Sequence, residues 1–340
     1  MLDKNTDIYK YFDNFQKFSD VGWELIYGNE DLLGQVSVTI SIPTYDRPVT
    51  LKDAIDSALG QEGFYDYCVV VIDNDPRIGN DTEQLIRSYN SDRLLYYKNK
   101  KNIGMFGNQN RCFEIPKSEY VLMLHDDDLI LPNCLKICIQ ILAKGDIDGL
   151  QPEKIKWFDG KNALEELEIP VISHPKLRRV LDIDNYWFFM TGSQTGGIYK
   201  TKVVKAVGGY NSDYYPTADF CMGIQLMANF KIYTFSQPLT IYRIGVNATL
   251  RKETLFGFVN DGYYIHNAIL KKLAINKVFR QLLLNYKVHS HYEGLKRAYN
   301  PEFEFDFRSL GMYFRCPRWI IVPLRIYVIL KINVMKIFIS

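Results

Sequence analysis

The sequence lacks several features that would point to other classes of protein. It has no glycine-rich G-x-x-x-x-G-K-[ST] loop, which argues against a P-loop nucleotidase. Its six cysteines form no C-x-x-C pair and no regular ladder, and several fall within apolar runs, as buried reduced thiols do. The chain does not start with a basic segment followed by an apolar block, so no secretory signal is visible. Together these absences predict a cytoplasmic protein.

An excess of charge of one sign is also missing. The chain has 41 Lys and Arg against 39 Asp and Glu, a net charge of +2. This balance gives no reason to expect nucleic acid as a partner. With 340 residues, 47% hydrophobic and 24% charged, the composition is that of a globular protein with a sizeable core.

Strand and helix patterns alternate between positions 36 and 145. Runs of β-branched residues such as YCVVVID (67–73) are typical of strands covered on both faces, and apolar residues recur at helical spacing after Pro48. The alternation predicts an α/β, Rossmann-like fold with a mostly parallel sheet flanked by helices. Residues 1–34 predict a short helix and a loop, and residues 151–185 an irregular polar stretch.

Three polar clusters follow the predicted strands of this sheet. They are PTYDR (43–47), DNDP (73–76) and HDDD (125–128). Ligands of such sheets bind beyond the carboxyl ends of the strands. The clusters therefore predict a binding site at this edge.

The acidic triplet Asp126, Asp127 and Asp128 has two interpretations. Aspartate is favoured at the start of a helix, although one residue suffices for that role. The alternative is a hard divalent cation, Mn²⁺ or Mg²⁺, held by one or two carboxylates while the phosphates of a ligand complete its shell. A cation would also relieve the mutual repulsion of three adjacent carboxylates, about 4 kcal/mol for a pair 4 Å apart at an effective dielectric constant of 20.

The clusters belong to a series of motifs that resembles the inverting nucleotide-sugar glycosyltransferases of family 2, which have the GT-A fold. The resemblance extends over positions 36–245 and implies a GT-A type sheet with a helical C-terminal extension. The motifs in order are VSVTISIPTYDR, VVVIDNDP, NIGMFGNQN, LHDDDLILPN, GGYNSDYYPTADF and YRIGVNAT.

The resemblance implies a role for individual residues. Asp127 would be the carboxylate on a Mn²⁺ or Mg²⁺ ion that grips the donor diphosphate, with Asp128 supporting it or sharing the ion. Asp126 would lie near the ribose. The other residues implied in donor binding are Pro43, Thr44, Tyr45, Arg47, Asp73, Asn74, Asn102, Asn108 and Arg243.

Three positions depart from the family pattern. Asn74 stands where a second Asp is common, His125 where the acidic motif often begins with Asp, and Gly245 where a His is common. The five histidines of the chain show no metal-ligand spacing with one another, and His289 and His291 are predicted to lie on the surface.

Asp219 is the candidate catalytic base. Transfer by single displacement inverts the anomeric carbon and needs one group to take a proton from the acceptor hydroxyl, a carboxylate doing this typically contributing about 10²–10⁴-fold. Asp219 precedes an apolar helical pattern, so helix capping is the competing interpretation. The resemblance favours the base, because an acid after a GGY turn has that role in the family.

The last segment, 316–340, is apolar but interrupted. Arg325, Lys331, Lys336 and Pro323 make a spanning helix unfavourable. The pattern favours a basic amphipathic helix in the membrane interface, with Trp319 as an anchor. A helix docked on the catalytic domain or on a second subunit is the alternative.

These observations predict three regions: an extension over 1–34, a GT-A catalytic domain over 35–245, and a helical region over 246–340 that ends in the membrane-associating segment. The expected activity is metal-dependent transfer from a nucleoside-diphosphate sugar, UDP-sugar first, to a glycan or lipid-linked acceptor of bacterial surface or capsular polysaccharide, at the inner face of the cell membrane. A nucleotidyltransferase and a degenerate nucleotide- or glycan-binding protein are the alternatives. An oligomer is compatible with the sequence.

Overall fold

A computed structural model describes residues 1–158, 164–186, 194–245, 251–313 and 315–339. The strands are β1 Trp23–Tyr27, β2 Val38–Thr44, β3 Tyr67–Asp73, β4 Leu94–Asn99, β5 Tyr120–Met123, β6 Leu129–Ile130, β7 Gly149–Phe158, β8 Leu177–Arg179, β9 Ile198–Lys200 and β10 Ile232–Ile244. The α-helices are α1 Pro48–Leu59, α2 Asp81–Arg87, α3 Gly104–Glu114, α4 Cys134–Leu142, α5 Thr201–Ala206, α6 Ala218–Asn229, α7 Lys252–Lys272, α8 Lys277–Ala298 and α9 Arg318–Ile339.

The described strands form one mixed sheet in the order β1-β4-β3-β2-β5-β9-β7-β10-β6, with β8 also paired to β10. Strands β4, β3, β2 and β5 run parallel to one another at its centre. Antiparallel pairs flank that centre, where β1 joins β4 and β9 joins both β5 and β7. The predicted α/β, GT-A type architecture with a helical C-terminal region is confirmed.

The central strands form where the sequence is apolar at nearly every position. All seven residues of β2 and all seven of β3 are buried, because helices cover both faces of the sheet. Helix α1 starts with Pro48 in its first turn and buries Leu51, Ala54, Ile55 and Ala58 against this layer. The N–H groups in the first turn of a helix have no partner within the helix. Proline lacks this group, so it fits the first turn without losing a hydrogen bond. The six cysteines are buried free thiols, as predicted.

Two predictions about irregular regions are wrong. Residues 23–27 are not loop but the edge strand β1, which pairs antiparallel with β4 from Trp23 opposite Asn99. The stretch predicted as irregular contains most of β7, which runs parallel to β10 along most of its length, and all of β8. Strand β1 is short and has no fully buried residue, and the second half of β7 alternates charged with apolar residues, so neither has the continuous apolar run of a central strand.

The helices after residue 250 build a second apolar core. Leu255, Val259, Leu284 and Val288 of α7 and α8 pack in it. Helix α9 packs on α8 and buries Ile321, Val328 and Ile332. It continues through Pro323, which lies near its start, where the missing N–H removes one hydrogen bond of the second turn. Among the described residues no helix is long and apolar enough to cross a membrane.

The first residues of the chain form hydrogen bonds with α6 and α7. The backbone N–H of Leu2 donates to Asp261 in α7 at 2.8 Å, and Gln225 in α6 donates to the carbonyl of Ile8 at 3.0 Å. The division of the chain at residues 34 and 245 stays a prediction.

Candidate active site

A cavity of about 920 Å³ lies at the carboxyl ends of the central strands. It is walled on one side by loops of the sheet and on the other by α6, α7 and α8. Most of the residues predicted for the site line it together: Pro43, Thr44, Tyr45, Arg47, Asn74, Asn102, Asn108, Asp126, Asp127 and Asp219. Asp73, Asp128 and Arg243 are not among the lining residues, and their positions are described below.

The acidic triplet occupies a tight turn between β5 and β6. The backbone N–H of Asp128 donates to the carbonyl of His125 at 3.2 Å, which closes the turn. The hydroxyl of Thr195 accepts from the N–H of His125 at 3.1 Å. The N–H of Arg243 in β10 donates to Asp128 Oδ1 at 2.9 Å. The turn is therefore fixed from two neighbouring segments rather than by its own sequence alone.

Burial and the neighbouring negative charge disfavour the charged forms of Asp126 and Asp128. Burial, followed by the charge of Asp127, raises the pKa of Asp126 to about 6. The same two causes raise the pKa of Asp128 to about 8. Burial lowers the pKa of His125 to about 4, so its imidazole is neutral and has a lone pair to offer. Shifted pKa values of this kind cluster at functional sites.

The side chains of His125, Asp127 and Asp128 fit a divalent cation. Each offers one ligand atom, and these atoms all lie within 4.8 Å of one another. The second oxygen of Asp128, Oδ2, is buried and accepts no hydrogen bond within the described part of the chain; His125 Nδ1 lies 3.7 Å from it. The two carboxylates suit Mn²⁺ or Mg²⁺, whereas the imidazole is a ligand more typical of transition metals than of Mg²⁺. The sequence does not single out His125 as a ligand, because its partners are carboxylates rather than another histidine.

Arg47 reaches the same carboxylates from the loop after β2. Its Nη1 lies 3.0 Å from Asp127 Oδ2 and 3.4 Å from Asp126 Oδ1. Asp126 also accepts a hydrogen bond from Thr44 Oγ1 at 2.8 Å. The two loops that follow β2 and β5 are thus tied together across the floor of the cavity.

Behind the loops, four amide side chains form a network. Asn99 Nδ2 donates to Asn108 at 2.8 Å and to Asn74 at 3.2 Å, and Asn74 Nδ2 donates to Asn102 at 2.9 Å. Asn108 Nδ2 donates to the carbonyl of Ile72 at 2.9 Å. These contacts fix the start of α3 against β3, so Asn74, Asn102 and Asn108 shape the cavity wall.

Asp73 is buried next to the cavity. It accepts hydrogen bonds from Tyr96 Oη at 2.6 Å, from Asn80 Nδ2 at 3.0 Å and from the N–H of Asp75 at 2.9 Å. Burial raises its pKa above the ordinary value. These contacts organise the loop after β3, and its predicted contact with a nucleotide stays a prediction.

The side chain of Arg243 points toward α1. It pairs with Asp53 at 2.6 Å and its guanidinium lies 4.6 Å from the centre of the Trp157 ring. Its predicted contact with a diphosphate stays a prediction. What the structure adds is the backbone N–H that holds Asp128.

Asp219 lies half-buried in the first turn of α6 and lines the cavity. Its Oδ1 accepts the N–H of Phe220 at 2.9 Å. The neighbouring Thr217 donates to Asp261 of α7 at 2.7 Å, which fixes the start of the helix. The N-cap position of α6 belongs to Thr217, and Asp219 is the second residue of the helix, so Asp219 is not the capping residue; its role as a base stays a prediction.

Strand β7 brings residues to the cavity that the sequence interpretation does not identify. Gln151, Glu153, Lys154 and Lys156 line it. Burial lowers the pKa of Lys154 to about 8, while the negative charges of Asp128 and Asp219 raise it. Lys154 is thus within electrostatic reach of both the acidic turn and the candidate base. The alternation of EKIKW is the available signal, since it places Lys154 and Lys156 on one face.

The prediction that His291 lies on the surface is wrong. It lines the cavity from α8, and burial lowers its pKa to about 4. His289 stacks on Phe307, with ring centres 4.0 Å apart. The end of the YRIGVNAT motif at 246–249 lies outside the described residues.

Comparison with known proteins agrees with this arrangement. The family model "Glycosyl transferase family 2" matches residues 39–208. An uncharacterized glycosyltransferase of Methanocaldococcus jannaschii is 24% identical over 232 residues, which cover 65% of this chain and 77% of that protein.

Two solved structures share the fold. Staphylococcus aureus TarS in complex with UDP-GlcNAc superposes with a TM-score of 0.56 at 17% identity, covering 80% of this chain and 78% of that one. Mannosyltransferase PcManGT from Pyrobaculum calidifontis, in complex with GDP-Man and Mn²⁺, superposes with a TM-score of 0.50 at 15% identity, covering 95% and 90%. Since the family model spans half of the chain and includes the acidic turn, this protein belongs to glycosyltransferase family 2.

Proposed function

We propose that this glycosyltransferase moves a sugar from a nucleoside-diphosphate donor to an acceptor hydroxyl with inversion of the anomeric carbon, and that it needs Mn²⁺ or Mg²⁺. The observation that carries the proposal is that a metal-competent acidic turn and a candidate base line one cavity at the carboxyl ends of parallel strands. TarS with UDP-GlcNAc and PcManGT with GDP-Man and Mn²⁺ support it as relatives in fold.

The donor occupies the sheet side of the cavity in this proposal. Asp127, Asp128 and His125 hold the divalent ion, which when bound stabilises the negative charge of the departing diphosphate as a Lewis acid. The loop Pro43-Thr44-Tyr45 and the amide wall around Asn74 receive the nucleoside, with a uridine base as the first candidate. Arg47 adds a guanidinium that suits phosphate oxygens.

Asp219 removes the acceptor proton in this proposal. It lines the cavity from the start of α6, while the metal-competent turn lines it from β5. A single displacement needs the base and the leaving group on opposite faces of the sugar. Lys154 lies close enough to Asp219 and to the acidic turn to interact with their charges. In this proposal it counters the negative charge that develops as the acceptor proton is removed and the diphosphate departs.

The acceptor occupies the side of the cavity formed by the C-terminal helices. Thr254, Phe258 and Ile265 of α7 line it. Leu295 of α8 and Tyr299, which directly follows that helix, line it as well. This wall combines aromatic and apolar side chains with the polar Arg251 and His291, a mixture that fits an amphiphilic acceptor such as a lipid-linked glycan. We therefore place the enzyme in bacterial surface or capsular polysaccharide synthesis, on the cytoplasmic side of the membrane.

Helix α9 provides the proposed membrane contact. It leaves Trp319, Ile326, Leu330 and Ile337 exposed, while its opposite side is buried on α8. Lys336 pairs with Asp184 at 2.5 Å, so that cation faces the protein. Arg318 and Arg325 are exposed on the same side of the helix as Lys336, and the guanidinium of Arg325 lies 5.9 Å from the centre of the Tyr286 ring of α8. In this proposal they flank the apolar face and provide positive charge for anionic headgroups.

Replacement Asp219→Asn tests the proposed base. The variant should lose turnover by about 10²–10⁴-fold, the usual contribution of general base catalysis, and keep Mn²⁺-dependent binding of the donor. Sugar transfer is measured by nucleoside diphosphate release, and donor binding by calorimetry. Asp213→Asn, an exposed acid in the preceding turn, is the control. Turnover that survives Asp219→Asn within a few-fold excludes Asp219 as the base.

A further inference from the structure

Arg47 contacts a carboxylate that a bound cation would also need, so the cation would have to displace Arg47 from it. Its guanidinium contacts Asp127 Oδ2 at 3.0 Å, and Asp127 is one of the three residues whose ligand atoms converge. A guanidinium and a divalent ion on the same carboxylate repel each other, and burial weakens the screening of that repulsion. Arg47 and the metal therefore compete for one carboxylate.

The backbone of the loop around Arg47 directs the side chain into the site. Asp46 has a left-handed backbone with φ 55°, which turns the chain sharply between β2 and α1. Its carboxylate pairs with Arg77 at 3.2 Å, and Arg77 in turn pairs with Asp75 at 2.6 Å. Aspartate tolerates this backbone conformation better than most residues. The pair between Asp46 and Arg77 is exposed and contributes little to stability, so the backbone turn at Asp46 is the main feature that directs Arg47 into the site.

The side chain of Arg47 is more exposed than the carboxylates that it contacts. It is 36% exposed, while the carboxylates of Asp126 and Asp127 are 10% and 8% exposed. The guanidinium thus covers buried carboxylates from the open side of the cavity.

We propose that Arg47 is an internal counter-cation that neutralises Asp126 and Asp127 in the metal-free enzyme and passes to the donor diphosphate when the ion binds. The inference rests on the proposed donor site. The diphosphate accepts the displaced guanidinium through two oxygens, a geometry in which arginine exceeds lysine. Arg47 thereby makes the ion and the diphosphate bind cooperatively. The ion releases the guanidinium to the diphosphate, and the diphosphate binds the guanidinium that would otherwise compete with the ion.

Titration of Mn²⁺ with and without UDP tests this role without measuring turnover. In Arg47→Gln, Mn²⁺ alone should bind about tenfold more tightly than in the unmodified protein, equivalent to about 1.4 kcal/mol, because the competing cation is gone. The factor by which UDP tightens Mn²⁺ binding should fall by a similar amount. Arg47→Lys keeps the charge without the planar two-oxygen contact and should give intermediate values for both quantities.

Lys52→Gln is the matched control. Lys52 lies in the helix that follows Arg47, is exposed, and pairs with a surface carboxylate, Asp56, so its loss should change neither quantity. Equal or weaker Mn²⁺ affinity in Arg47→Gln and Arg47→Lys, or an unchanged effect of UDP, overturns the inference and leaves the proposed function intact. An unmodified protein that binds no Mn²⁺ with or without UDP overturns both.

Discussion

At the scale of single residues, the cavity combines groups that are unfavourable when considered alone. Asp126 and Asp128 have raised pKa values because they are buried beside Asp127, and Lys154 has a lowered one because it is buried. Burying a charge is costly unless a partner of opposite sign compensates it. A nucleoside diphosphate with its cation would supply charges of both signs, so the arrangement fits a charged ligand.

Lys154→Gln should reduce kcat by about 10²–10³-fold, the usual cost of removing one group that stabilises transition-state charge. The effect on KM should be smaller, because the charge that Lys154 counters develops during the reaction. Steady-state kinetics of nucleoside diphosphate release measure both parameters. Lys205→Gln, an exposed charge at the end of α5, serves as the control; equal kinetics for the two variants would show that Lys154 has no such role.

His125→Ala should weaken Mn²⁺ binding by at least about 10–100-fold, the usual cost of removing even an outer-shell partner of a metal site, because His125 is one of the three side chains proposed to bind the ion. Asp127→Asn should weaken it further, since the amide removes the negative charge as well. Calorimetric titration in the presence of UDP measures the affinities. If His125→Ala binds Mn²⁺ as tightly as the unmodified protein, the ion sits on the carboxylates without the imidazole.

The residues of the acidic turn can be identified from the sequence, because they follow an apolar strand directly and neighbour one another. His125 and Lys154 cannot be placed in the same way. His125 acts with carboxylates two and three positions away rather than with another histidine. Lys154 reaches the cavity because β7 pairs with β10 over a long register, and pairing between distant segments is not visible in a local pattern.

At the scale of elements, the segment 195–200 connects the fold to the site. Thr195 bonds the backbone of His125, Gly196 donates to the carbonyl of Met123 at 2.7 Å, and β9 then pairs with β5. Gly196 has φ +73°, and a Cβ there would lie 1.9 Å from Thr240 Oγ1. A glycine is needed for two reasons at one position, the backbone conformation and the space.

Gly196→Ala should therefore destabilise the protein by about 2–4 kcal/mol, combining overpacking with left-handed strain, and weaken Mn²⁺ binding by moving Thr195 and Thr240. Chemical unfolding and Mn²⁺ titration measure the two effects. Gly311→Ala is the matched control: Gly311 has φ +70°, and a Cβ added there would meet no described atom within 4 Å, so only the strain should appear. Equal losses for both variants would contradict the packing argument.

Element types are predictable where one physical signal dominates. The apolar, fully buried strands β2 and β3 and the Pro-initiated helix α1 are examples. Strand β1 escapes prediction because its residues are exposed or partly buried at the sheet edge. Strand β7 escapes it because its cavity-facing positions are charged, and charged residues are depleted in ordinary strands.

At the scale of the whole molecule, the chain has an apolar surface that its own described fold does not cover. Helix α9 buries one side on α8 and exposes large apolar residues on the other. Contiguous exposed apolar surface of this kind marks an interaction site. The C-terminal helices also wall the cavity, so the proposed membrane contact and the proposed acceptor side belong to the same part of the fold.

A triple replacement, Trp319→Ser, Ile326→Gln and Leu330→Gln, should reduce binding to vesicles that contain anionic phospholipid by at least about tenfold. Burying an apolar side chain in the interface is worth roughly 1.5–3 kcal/mol. Cosedimentation with anionic and with neutral vesicles measures the effect of the surface and of its charge. The control is Val49→Gln with Ile78→Gln, two exposed apolar residues elsewhere. Equal sedimentation of both variants would exclude α9 as the contact.

The part of the chain that the family model matches and the part beyond it are specified by the sequence in different ways. The half of the chain that the family model matches carries most of the sheet and the acidic turn, and its motifs lie close together in sequence. The opposite wall of the cavity comes from α6, α7 and α8, beyond that match. Its packing depends on contacts such as Pro216 against Gly257, which have no local signature.

The central claim is that the acidic turn holds a divalent ion that binds a nucleoside diphosphate. Calorimetric titration of UDP into the protein, with Mn²⁺ and after its removal by a chelator, tests it most directly, with Asp127→Asn measured in parallel. The account predicts UDP binding that requires Mn²⁺ and is lost in Asp127→Asn. Equal UDP affinity with and without the ion, or unchanged Mn²⁺-dependent binding in Asp127→Asn, would contradict it.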